Sequence, residues 1–218
     1  MTAARPVVRA WPTCRPLVAI LRGVTPADAV AHAQALVEAG FDCIEVPTNS
    51  PDWARSVVEI MAAVGPAALV GAGTVTDLDL LEALAATGAG LMVTPNTDPA
   101  LIARCAALGL YSAIGCGTAS EAFAALHAGA AALKLFPAGP LGPAYASALR
   151  AVLPVGVPLL AVGGIRPDNL ADFLRAGCTG AGLGSDLYRP GQSAYETLAR
   201  ARDFVAAFDA ARAAPSTA

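Results

Sequence analysis

Lysine is the scarcest cation in this sequence: of its 14 basic residues one is lysine, at position 134, and the rest are arginine. Histidine occurs twice, and the aromatic and charged fractions are low, at 6% and 14%. No run approaches the roughly 18 uninterrupted apolar residues of a membrane-spanning helix, although 56% of the chain is hydrophobic. That excess is mostly alanine and valine, which suits helices packed closely on a buried sheet. The first 15 residues carry Arg5, Arg9 and Arg15 among prolines and lack the apolar centre of a signal peptide. A cytoplasmic protein without membrane association is expected. The net charge of -3 and pI near 5.3 leave no electrostatic footprint for nucleic acid.

Five cysteines, Cys14, Cys43, Cys105, Cys116 and Cys178, are odd in number and never spaced C-x-x-C. Neither a disulfide framework nor a zinc site is indicated, and buried reduced thiols are expected. His32 and His127 lie in alanine-rich helical stretches without an acidic partner at metal-ligand spacing, so both are read as packed or solvated and no metal is expected.

What is present is a recurring unit: a short apolar run, a polar or glycine turn, a helix-period segment, and a glycine. The runs are 17–21, 43–48, 69–74, 91–96, 111–115, 132–137, 158–164 and 180–185, with starts 20 to 26 residues apart. That spacing fits one strand, one helix and two short loops. Thr25-Pro26 and Ser50-Pro51 place a hydroxyl and then proline at helix starts, and Thr118-Ala119-Ser120-Glu121 reads as a capping box. Gly40, Gly88, Gly109, Gly129 and Gly177 close helices. The strands are apolar throughout, as in a parallel sheet buried on both faces. Eight such units predict a single α/β domain, a (β/α)8 TIM barrel over residues 17–213, between a leader segment 1–16 and a frayed end at 214–218; a doubly wound sheet is the alternative. A helix is expected near Asp186, and the last outer helix over 192–213.

In such a barrel the loops after the strands form the active site, so the polar strand ends converge. Lys134 interrupts an apolar strand, where an ammonium is costly. A desolvated lysine can shed its proton and act as a nucleophile, which arginine cannot. A structural ion pair with Glu45 is the plainer alternative. Glu45, in a poorly hydrated mouth, could shuttle a proton. Arg22 would lower the amine pKa further and, with Thr74, could grip a carboxylate. Pro95 and Phe136 would wall the pocket. Gly163-Gly164 and Gly184-Ser185 end adjacent strands, where barrels hold phosphate through backbone N–H groups.

The segments Glu45-Val46-Pro47-Thr48-Asn49-Ser50-Pro51, Gly71-Ala72-Gly73-Thr74, Val93-Thr94-Pro95-Asn96, Leu133-Lys134-Leu135-Phe136-Pro137 and Gly182-Leu183-Gly184-Ser185-Asp186-Leu187-Tyr188 resemble, in order, the motifs of the 2-keto-3-deoxy-6-phosphogluconate/galactonate aldolases. The resemblance implies a class I lyase without metal or other cofactor, assembled as a homotrimer. Its substrate would be a phosphorylated 2-keto-3-deoxy sugar acid, and its products pyruvate and glyceraldehyde 3-phosphate. It implies Lys134 as the Schiff-base residue, Glu45 as the proton shuttle, Arg22 and Thr74 on the carboxylate side, and Gly163, Gly164, Gly184 and Ser185 at the phosphate. The phosphogluconate branch typically has arginine where Asn49 stands and threonine where Val162 stands. The second strand and the stretch from Gly182 to Ser193 are similar to the phosphogalactonate branch instead. Loss of a threonine hydroxyl at Val162 removes a possible hydrogen bond to a substrate hydroxyl and so can change epimer preference. Besides that epimer choice, two other readings stand: a sugar-phosphate isomerase with Glu45 as base, and a non-catalytic phosphometabolite binder.

Overall fold

The computed structural model describes Thr13 and residues 15–213. The expected frayed end, Cys14 and the leader up to residue 12 lie outside the described residues. Eight parallel strands close into a barrel in chain order. They are β1 (Leu17–Ile20), β2 (Cys43–Pro47), β3 (Leu69–Gly73), β4 (Leu91–Val93), β5 (Tyr111–Cys116), β6 (Ala132–Leu135), β7 (Leu159–Val162) and β8 (Gly180–Leu183). The ring shuts where Val18 of β1 lies beside Gly182 of β8. Each strand is followed by a helix: α1 (Pro26–Ala39), α2 (Trp53–Val64), α3 (Leu78–Ala86), α4 (Pro99–Ala107), α5 (Ala119–His127), α6 (Ala138–Val152), α7 (Pro167–Arg175) and α8 (Ala194–Ala213). The single-domain (β/α)8 barrel expected from the repeat is the observed fold.

Strand alternation explains why the apolar runs lack polar gaps. Val18, Ile20, Cys43, Leu91, Val93, Ala113, Ala132, Leu160 and Val162 face inward and fill the barrel. Leu17, Ile44, Val46, Met92, Ile114, Leu133 and Leu159 face outward and lie fully buried under the helices. Truncating one of these to alanine typically costs about 2–5 kcal/mol through lost transfer energy and the cavity left behind. Cys43, Cys105, Cys116 and Cys178 are buried, as expected of packed thiols.

Helix ends mostly follow their signals. The Thr118–Glu121 capping box forms, and Gly40, Gly88, Gly109, Gly129 and Gly177 all take positive φ at helix ends. Four local expectations fail: Thr25 stands at the N-cap of α1, but its hydroxyl donates to Asp28 Oδ2 at 2.9 Å and caps no backbone N–H. All the predicted runs but the fifth, which stops one residue short of β5, extend past their strands: β4 stops at Val93, because the Thr94 hydroxyl accepts from Gly115 N and donates to Asn96 O, turning the chain out of the ladder. α2 begins at Trp53 after Asp52, not at Ser50, because the buried Ser50 hydroxyl accepts instead from Gly23 N at 2.9 Å. No helix starts near Asp186; residues 185–187 form a turn, and α8 begins only at Ala194.

Candidate active site

The reactive pair sits at the C-terminal mouth of the barrel. Glu45 is the third residue of β2 and Lys134 the third of β6; both point inward and line one cavity with Val18, Ile20, Val93, Ala113, Leu160, Val162 and Gly182. Glu45 is 1% exposed and Lys134 6%. They form no ion pair with each other; the ion pairs among the described residues are all between arginine and surface carboxylates. Glu45 Oε2 is buried without a hydrogen-bond partner. The plainer alternative for the lysine, a structural salt bridge, thus does not describe this pair.

Burial holds both groups towards neutrality. It pushes the Glu45 carboxyl up from 4.5 to about 7, against the opposing pull of Lys134, Arg22 and the Gly73 N–H. It likewise lowers the Lys134 amine, with Glu45 resisting and Arg22 adding to the drop. Glycine at position 73 makes the carboxylate's place possible: a Cβ there would lie 2.0 Å from Glu45 Oε2. The Lys134 Nζ stands 5.0 Å from the centroid of the Phe136 ring, on the aromatic face that attracts a cation. That ring in turn packs against Gly163.

Arg22 follows β1 and lies exposed at the rim. Its Nη1 donates to Asn49 Oδ1 at 2.7 Å and its Nη2 to Thr74 Oγ1 at 3.3 Å. Thr74 has φ +58, a left-handed conformation that costs a β-branched residue on the order of 1–3 kcal/mol. The Thr48 hydroxyl steadies it by donating to Thr74 O at 2.7 Å. Pro95 sits over Gly115, whose added Cβ would meet the Pro95 carbonyl at 2.3 Å, and Gly115 is the register neighbour of Lys134. Val162 is 5% exposed and part of the inner wall.

On the opposite side, Gly163 and Gly164 adopt φ +93 and +76, fixed by Gly139 N donating to Gly163 O and Asn169 Nδ2 to Gly164 O. The pairing of Val162 with Gly182 sets this turn next to Gly184 and the exposed Ser185. All eleven residues singled out from the sequence therefore gather at one end of the barrel. Sequence reasoning missed the supports: Asn49 and Thr48 behind Arg22 and Thr74, and Ser50 behind Gly23. Cys116, a strand-end thiol, is pushed up to about 12 by burial, which leaves it no thiolate for chemistry at neutral pH. Among the described residues no group of three His, Cys, Asp or Glu is placed to hold a metal ion.

The family model for KDPG and KHG aldolase matches residues 10–200. The chain is 52% identical to the 2-dehydro-3-deoxy-6-phosphogalactonate aldolase of Escherichia coli strain K12 over 198 residues, 91% of this chain and 97% of that protein. It is 46% identical over 199 residues, 91% of this chain and 94% of the other, to a probable 2-dehydro-3-deoxy-6-phosphogalactonate aldolase of Rhizobium meliloti strain 1021. The solved "Native KDPGal structure" superposes with a TM-score of 0.92 at 51% identity, covering 94% of this chain and 99% of that one. Motif order, barrel and matched length agree: the chain belongs to the KDPG and KHG aldolase family.

Proposed function

We propose that this barrel is a class I aldolase cleaving 2-dehydro-3-deoxy-6-phospho-D-galactonate to pyruvate and D-glyceraldehyde 3-phosphate, a step of galactonate catabolism. The observation that carries it is the sole lysine, dry and unpaired by any ion, sharing one cavity with a carboxyl held near pH 7. Neutral Lys134 attacks the C2 ketone, water leaves as the imine forms, and a proton taken from solvent converts it to the iminium. Glu45 takes the proton of the C4 hydroxyl as the C3–C4 bond breaks; that electron pair passes into the iminium and the aldehyde departs. Glu45 then returns its proton to C3 of the enamine, and hydrolysis frees pyruvate and the amine. A carboxyl titrating near neutrality can both take and give that proton. Arg22, aimed by Asn49 and backed by Thr74, would hold the carboxylate. Pro95 and Phe136 would flank the imine, and the backbone N–H groups around Gly163, Gly164, Gly184 and Ser185 would take the phosphate.

Two features favour the galactonate epimer: the degree of likeness to the relatives of that name, and the apolar Val162 wall, which offers no donor to the C4 hydroxyl. An isomerase reading, with Glu45 as base and Lys134 as electrostatic support, needs a charged amine, which burial disfavours. The phosphogluconate epimer is the alternative substrate. A homotrimer in the cytoplasm, with residues 17–213 as its single catalytic domain, completes the proposal. Coupled assay of pyruvate release from both C4 epimers tests it. The galactonate epimer should show the higher kcat/KM, and Val162→Thr should move the ratio roughly tenfold towards the gluconate epimer. Equal or inverted rates in the parent enzyme would overturn the epimer assignment.

A further inference from the structure

The loop that follows β8 borders both ends of the site. Gly184 and Ser185 lie beside the Gly163 turn, and Pro190 Cγ stands 2.8 Å from where a Cβ on Gly23 would be, so the loop also packs on the residue after Arg22. Since no helix begins at Asp186, something else must hold this segment. Its internal bonds, Leu187 and Tyr188 N to Gly184 O and Arg189 Nε to Ser185 O, would travel with the loop as a unit and anchor nothing.

Beside the packing of Leu187 and Tyr188 into the core, the polar anchor is the side-chain amide of Gln192. Its Nε2 donates to Leu187 O at 3.0 Å and to Thr197 Oγ1 at 2.7 Å, while its Oε1 accepts from Arg189 N at 3.0 Å. Both amide protons and the carbonyl are thereby used, two bonds gripping the loop and one reaching the barrel's outer layer. Thr197, on α8, is fully buried and lies 2.8 Å from Nδ1 of His32, on α1 and 3% exposed. The His32 ring meets Tyr188 of the loop edge to face at 4.8 Å. Another polar tie, the long Arg200 Nη1 to Asp186 O contact at 3.5 Å, is partly solvated. A buried hydroxyl and imidazole without a catalytic task, placed behind a loop that faces the substrate, are costly unless their bonds fix a geometry.

We infer that Gln192, backed by Thr197 and His32, is a positioning residue that sets the β8 loop for the substrate phosphate. This rests on the phosphate assignment proposed above for Gly184 and Ser185. Because the amine and Glu45 reach the mouth from β6 and β2, and the Arg22 guanidinium is held by Asn49 and Thr74 and not by the loop that touches Gly23, a misplaced β8 loop weakens phosphate binding and leaves the imine chemistry intact.

The test is steady-state cleavage of the phosphorylated acid and of its unphosphorylated counterpart by the parent enzyme, Gln192→Met, Thr197→Val and Thr197→Ser, with thermal unfolding of each. The parent should favour the phosphorylated acid. Gln192→Met and Thr197→Val should raise KM for it by about fivefold, the worth of one hydrogen bond, with kcat and the KM for the unphosphorylated acid held. Thr197→Ser keeps the hydroxyl and should keep the parental KM even though loss of the buried methyl lowers its melting temperature, a split that a purely structural role would not produce. Parental KM in Gln192→Met, or equal losses on both substrates, overturns the inference while leaving the phosphate assignment standing. A parent enzyme that treats the two acids alike overturns the phosphate assignment itself, and the inference with it.

Discussion

Lys134 and Glu45 are pushed towards neutrality by the same dryness, and each supplies what the other lacks: an amine that sheds its proton more readily and a carboxyl that can carry one. Glu45→Gln should therefore lower turnover by about 10²–10⁴-fold, the usual worth of a general acid-base group, while the amine still forms an imine with pyruvate. Loss of both would mean that Glu45 shapes the site instead of serving the proton. Because the working base is the carboxylate, kcat/KM in the cleavage direction should rise with pH through about 7 and lose that limb in the glutamine variant. A pH-rate profile of the two enzymes checks this. The reactive pair was legible from sequence because a lone lysine and a lone glutamate inside apolar runs break the local pattern. Asn49 and Ser50 were not, since their partners Arg22 and Gly23 lie 27 residues away and across a strand pairing; nothing local marks a residue that works by reaching a neighbouring loop.

At the scale of the element, alternation of apolar runs and capped helices was enough to count strands and to say which loops share a face. It did not locate strand ends. Thr94 and Thr74 leave the ladder at points chosen by side-chain bonds and by a left-handed φ, and neither is a matter of hydrophobic period. The expected helix at Asp186 failed for a related reason: Gln192 supplies from a distance the bonds that a helical turn would have supplied locally. Gly73 shows how an element's register reaches the chemistry, since β3 must present hydrogen where Glu45 presents its carboxylate. Gly73→Ala should cut turnover at least as far as Glu45→Gln with the fold retained, because the added methyl overlaps only the far end of the Glu45 side chain and would push its carboxyl from its place in the cavity. Circular dichroism with a pyruvate-release assay would show it; full activity in the alanine variant would mean that Glu45 has another resting place.

For the molecule as a whole, the barrel is closed and its inner and outer layers are continuous, so the cost of a dry carboxyl is borne by global stability. A group whose folded pKa lies above its unfolded value contributes stability below the unfolded value and loses it as pH rises through the folded one. For Glu45 that window runs from about 4.5 to about 7, and its full cost above the window is on the order of 3 kcal/mol. Glu45→Gln should thus melt close to the parent near pH 4.5 and distinctly above it at pH 8, a difference that differential scanning calorimetry can follow. A constant offset across that range would mean that the carboxyl is not held neutral by burial.

The central claim concerns one amine, and borohydride reduction in the presence of pyruvate reports on it directly. Peptide mass mapping after reduction should find a single covalent three-carbon adduct, on Lys134, and none in Lys134→Arg. An unmodified Lys134 in protein that is still turning over substrate would contradict the imine mechanism and the reading of the site built on it.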